Sequence, residues 1–84
     1  MARIRADWDW VGGYPIFVYT SFIDHNKFQV KIVKGIKGNQ NAPGFGPSAE
    51  AWKYYVQEGI ASKEGVVKQA LKIARRTLKE EGLI

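Results

Sequence analysis

From Ser62 to Gly82 the sequence sets apolar side chains at helical spacing. At about 100° per residue, Val66, Val67, Ala70, Leu71, Ile73, Ala74, Thr77 and Leu78 fall within an arc of roughly 160°. Ser62 is an N-cap residue, and Gly82 can adopt the left-handed conformation that ends a helix. A helix with so wide an apolar stripe is marginal alone in water, so the rest of the chain must form the surface that covers it.

That surface has the composition of a sheet. Ile16-Phe17-Val18-Tyr19-Thr20-Ser21-Phe22-Ile23 is dense in β-branched and aromatic residues and reads as a buried strand. Asp24-His25-Asn26-Lys27 is a polar turn, and Phe28-Gln29-Val30-Lys31-Ile32 alternates apolar with polar, so the two runs form a hairpin. Upstream, Trp8-Asp9-Trp10-Val11 reads as a first strand, broken by Gly12-Gly13-Tyr14-Pro15. Its alternation places the two Trp in the core and Asp7 and Asp9 on a solvated face. Residues 49–58 fit either a helix from a Ser48 cap to Gly59 or a strand. The tight cluster Trp52, Tyr54, Tyr55 and Val56 favours the strand, with Trp52, Tyr54 and Val56 on one face. The expected fold is α+β: a small antiparallel meander of three to four strands packed against one C-terminal amphipathic helix.

The 84 residues form one expected domain, 1–84, since a chain this short builds a single core. Three Trp, four Tyr and four Phe make that core adequate without staples, and the absence of Cys removes disulfides, thiolate metal sites and thiol nucleophiles together. Charges in Met1-Ala2-Arg3-Ile4-Arg5 stand where a signal peptide needs its apolar stretch, and the run 16–23 is far short of the ~20 residues of a membrane span. The expectation is a cytoplasmic protein with no membrane association. Gly35 to Pro47 holds four Gly, two Pro and two Asn in thirteen residues and reads as a long loop, with Ile36 and Phe45 as its apolar anchors.

No catalytic apparatus is visible. The single His25 sits in the hairpin turn, with no second His or Cys to complete a triad or a tetrahedral metal site. The Gly-rich loop lacks the spacing of phosphate-cradling motifs. The chain is therefore read as a non-enzyme without cofactor or metal.

Charge carries the functional reading. The net charge is +5. The first 26 residues are slightly acidic, residues 27–58 set five Lys against Glu50 and Glu58, and residues 59–84 set six basic against three acidic residues. On the helix, Lys68, Lys72, Arg75, Arg76 and Lys79 form a strip opposite the apolar stripe. A solvated helix face ordinarily mixes signs to gain i,i+4 pairs, and this strip does not. On the sheet, the expected register places Gln29, Lys31, Lys53, Tyr55 and Gln57 on the face away from the core, with Tyr19 beside them. Amide, basic and aromatic side chains together suit phosphate contacts, base-edge hydrogen bonds and stacking. Lys34 and Lys37 stand at the base of the loop.

The order of hairpin, third strand and a helix opened by Ala61-Ser62-Lys63-Glu64-Gly65-Val66-Val67-Lys68-Gln69-Ala70 resembles, in topology, two nucleic-acid-binding families. One is the sheet plus helix of plant-type Apetala DNA-binding domains and integrase amino-terminal domains. The other is the second half of double-stranded RNA-binding domains. The chain lacks the first helix of the latter and the Arg-rich first strand of the former. The charge pattern makes the expected function a non-enzymatic nucleic-acid-binding module using the basic helix face, the basic and aromatic sheet face, or both, with Lys31, Lys34, Lys37, Lys53, Tyr55, Lys68, Lys72, Arg75, Arg76 and Lys79 as its expected contacts and DNA preferred to RNA. Two alternatives stand beside it. One is a small protein-interaction or inhibitor protein of the kind viruses use against a host factor, contacting an acidic protein surface or using the Trp and Tyr residues and the 35–47 loop. The other is a binder of small anionic nucleotides. An exposed strand edge also allows a homodimer.

Overall fold

The computed structural model describes residues 7–39 and 50–84. In chain order it contains β1 (Asp7–Val11), β2 (Tyr14–Asp24), β3 (Lys27–Lys34), β4 (Lys53–Glu58) and α1 (Lys63–Glu80). The strands form one antiparallel meander in the order β1-β2-β3-β4, and α1 packs across one face, over β2 with β1 and β3 on either side. The expected α+β architecture is present with four strands. Residues 53–58 are extended, as the aromatic cluster indicated. The anchor expected at Phe45 lies outside the described residues, while Ile36 is 58% exposed and pins nothing.

Each junction has a local cause. Gly12 and Gly13 have φ of 58° and 87°, which a two-residue hairpin loop between right-twisted strands requires. His25 and Asn26 link β2 to β3, and Lys27 faces Glu58 across β3 and β4 with Nζ 3.2 Å from its carboxylate. The Ser62 side chain accepts from the Gly65 backbone N–H at 3.1 Å, capping α1. At the other end the Leu83 N–H donates to the Leu78 carbonyl at 2.9 Å and that of Gly82 to Lys79 at 3.1 Å, a Schellman closure.

The core lies between sheet and helix. Ile16 and Val18 of β2, Val30 and Ile32 of β3, and Val66, Ala70, Ala74 and Leu78 of α1 are wholly removed from solvent. Thr77 is buried too, and its hydroxyl donates to the Ile73 carbonyl at 2.8 Å.

Register overturns two of the expected face assignments. Directly paired residues of antiparallel strands share a face. Asp7 faces Val18 and Asp9 faces Ile16, so both Asp point to the helix side. Trp8 and Trp10 point to the outer face, 42% and 41% exposed, where Trp8 stacks on Phe17 with ring centroids 5.7 Å apart. In β4, Lys53, Tyr55 and Gln57 face Ile32, Val30 and Phe28 and so belong to the helix side, not to the outer face with Gln29 and Lys31. Tyr54 and Val56 take the outer positions instead. The cause is β2 and β3: with Phe17, Tyr19 and Val33 on the outer face, both sides of the sheet offer an apolar floor, so hydropathy alone does not choose the phase of an edge strand.

Candidate nucleic-acid interface

The apolar stripe fixes the roll of α1, with Val66, Ala70, Ala74, Thr77 and Leu78 turned to the sheet, so Lys68, Lys72, Arg75, Arg76 and Lys79 project into solvent on the opposite side. Lys68, Lys72, Arg75 and Lys79 follow one another at three or four residues, about 4.5–6 Å of axial rise, with Arg76 adjacent to Arg75. Among the described residues none of the five takes part in an ion pair, whereas Lys27 pairs with Glu58 and Lys63 with Asp7. The like charges repel weakly at the surface and an anionic strand relieves that repulsion.

Sheet register adds to this side. Lys53 opposite Ile32 and Lys34 opposite Ile16 sit on the helix face, and neither is ion-paired among the described residues. Lys31 falls on the outer face, its Nζ 5.8 Å from the ring centre of Tyr19 opposite it. The expected basic and aromatic face is thus divided between the two sides of the sheet. Of its two lysines, Lys53 lies on the helix side, while Lys31 remains on the outer face with Tyr19, Gln29, Trp8, Trp10, Phe17, Tyr54 and Val56.

Tyr55 turns inward. Its ring packs against the core, its hydroxyl is buried without a hydrogen-bond partner, and burial pushes the phenol pKa up from its ordinary value. Trp52, just before β4, reaches α1: its indole N–H donates to both carboxylate oxygens of Glu81 at 3.2 Å, tying the edge strand to the helix C-cap. At the other end of α1, Lys63 Nζ lies 3.2 Å from a buried Asp7 oxygen, and the two line an open recess of about 260 Å³ with Glu64, Val67 and Lys68. Among the described residues no group of three or more His, Cys, Asp or Glu is placed to hold a metal ion. His25 is an exposed turn residue whose N–H and ring face Asp24.

Sequence reasoning missed the exposed aromatic set of Trp8, Trp10 and Tyr54. The signal lay in β2, whose consecutive Ile16, Phe17, Val18 and Tyr19 give apolar surface to both faces. No helix among the described residues is long and apolar enough to cross a membrane. No family model, no curated protein and no solved structure matches the chain, and the topological resemblance to two nucleic-acid-binding families gains no support from them.

Proposed function

We propose that this protein is a non-enzymatic nucleic-acid-binding module whose helix side tracks a phosphate backbone. The observation that carries the reading is the strip of Lys68, Lys72, Arg75, Arg76 and Lys79 on α1, none of them ion-paired among the described residues, with Lys34 and Lys53 on the helix face of the sheet. Cations not engaged in ion pairs lose none on binding and release counterions from the polyanion. Duplex DNA is the preferred form, because its major groove admits an α-helix whereas the narrow major groove of duplex RNA does not.

The test is fluorescence anisotropy with labelled duplex DNA, single-stranded DNA and RNA at two salt concentrations. Five or six phosphate contacts give a slope of about −5 in log affinity against log salt on a duplex. The triple reversal Arg75→Glu, Arg76→Glu and Lys79→Glu is expected to abolish binding while leaving the melting transition in place. No binding by the wild-type chain at low salt sinks the reading.

One observation favours a second reading, a protein-interaction role. The outer face presents Trp8, Trp10, Tyr54 and Val56 at 41–58% exposure, and aromatic anchors dominate protein interfaces. If that face is the functional one, Trp10→Ala and Tyr54→Ala remove partner binding and the helix reversals do not.

A further inference from the structure

Two lysines converge on one tyrosine at the end of the sheet where the last turn of α1 lies. Tyr14 opens β2 and packs against the core on the helix side. Lys34 closes β3 with Nζ 5.0 Å from the Tyr14 ring centre, and Lys37, from the next turn, brings its Nζ to 6.0 Å from the same point. The position of Lys37 is built rather than incidental. Ile36 and Asn39 form a β-bridge, the Gly38 N–H donates to the Gly13 carbonyl at 2.8 Å, and the Gly35 N–H donates to the Pro15 carbonyl at 2.8 Å. These bonds fold the 35–39 segment back onto the β1–β2 turn. There the Lys37 stem runs along Gly13, where an added Cβ would lie 3.4 Å from Lys37 Cε and 3.6 Å from Cγ.

A ring face attracts an ammonium, but two ammonium groups at one ring repel each other. Among the described residues neither Lys34 nor Lys37 is ion-paired. An anion with several acceptor oxygens can take N–H donors from both, and each Lys supplies three. Pre-ordering both stems reduces the entropy lost on binding. Ile84 lies against Gly12, which brings the chain following α1, and with it the Lys79 end of the strip, to this end of the sheet.

We propose that Tyr14, Lys34 and Lys37 form a phosphate-ester site. Resting on the nucleic-acid reading above, it extends the path of the bound strand from the helix strip onto the sheet end. The shared chemistry is a phosphate ester, whether a phosphodiester within a strand or the phosphate of a free nucleotide.

The experiment is a titration of the full chain followed by amide NMR, using a 5′-phosphorylated mononucleotide, its unphosphorylated nucleoside, inorganic phosphate and, separately, a short duplex. Phosphate and the nucleotide are expected to shift the amides of Gly13, Tyr14, Lys34, Lys37 and Gly38, and the nucleoside is not. Lys34→Gln with Lys37→Gln weakens this binding on the order of tenfold. Tyr14→Leu, which keeps both cations and an apolar core contact, weakens it several-fold, whereas Tyr14→Phe retains it. Shifts spread evenly over all lysines, or equal affinity in Tyr14→Leu and wild type, overturn the site. If the site responds to the nucleotide but the duplex does not bind, the site stands with a free phosphate ester as its ligand, and the nucleic-acid reading fails. If the duplex binds along α1 while these amides respond to nothing, the site fails and the nucleic-acid reading stands.

Discussion

A Cβ placed on Gly12 would stand 2.5 Å from Ile84 Cγ2, so the β1–β2 turn and the segment after α1 meet closely enough that an added methyl must displace the Ile84 side chain. Two separate terms then oppose Gly12→Ala. The φ of 58° costs an L-residue roughly 1–2 kcal/mol, and the clash with Ile84 adds to it. Urea unfolding of Gly12→Ala, Ile84→Ala and the double variant separates them. The penalty of Gly12→Ala is expected to shrink by about 0.5 kcal/mol or more in the Ile84→Ala background, and strict additivity would show that the contact is absent.

Tyr55 carries a buried hydroxyl with no partner, and burial raises its pKa above the ordinary 10.0. Tyr55→Phe removes an uncompensated polar group and is expected to be neutral or stabilising by up to about 1 kcal/mol. The folded chain holds this proton where the unfolded chain has lost it. Its contribution is therefore complete below about pH 10 and declines as pH rises through the raised folded value. Urea midpoints across the alkaline range should fall less steeply in Tyr55→Phe than in wild type, and identical slopes would argue against burial of the phenol.

Leu78 and Lys72 occupy different faces of α1, the first wholly buried and the second exposed. Leu78→Ala leaves a cavity under the helix and should cost about 2–5 kcal/mol. Lys72→Ala should stay within about 0.5 kcal/mol of wild type. Comparable losses in thermal melts of the two would mean that the helix is rolled differently on the sheet.

Ser62 holds the first turn of α1 through its bond to the Gly65 N–H. Ser62→Ala should destabilise by about 1 kcal/mol and Ser62→Asp should restore most of it, because the carboxylate accepts the same bond and suits the helix dipole. Denaturant midpoints read this directly, and a neutral Ser62→Ala would place the helix start elsewhere.

Elements governed by near neighbours were legible in the residues themselves. The span of α1, its Ser62 and Gly82 boundaries, its buried stripe and its basic strip all follow from the 3.6-residue period and from capping chemistry confined to one turn. The β2–β3 hairpin follows likewise from its strand composition and the short polar turn at His25 and Asn26. The choice between strand and helix at 53–58 rested on a tight run of aromatic and β-branched residues.

Only the tertiary structure decided which side of the sheet each edge-strand residue occupies. Alternation in Asp7-Trp8-Asp9-Trp10 and in Lys53-Tyr54-Tyr55-Val56 defines two sets but not their direction, since a shift of one residue in register exchanges the faces. Pairing of Asp9 with Ile16 and of Tyr55 with Val30 made that choice. It sent the tryptophans outward onto Phe17 and moved Lys53 to the side of the helix strip. The meeting of Lys34 and Lys37 over Tyr14 was also invisible in sequence, because it depends on hydrogen bonds that fold residues 35–39 back onto a turn more than twenty residues earlier. Local periodicity sets an element and its two faces; long-range pairing sets which face meets which neighbour.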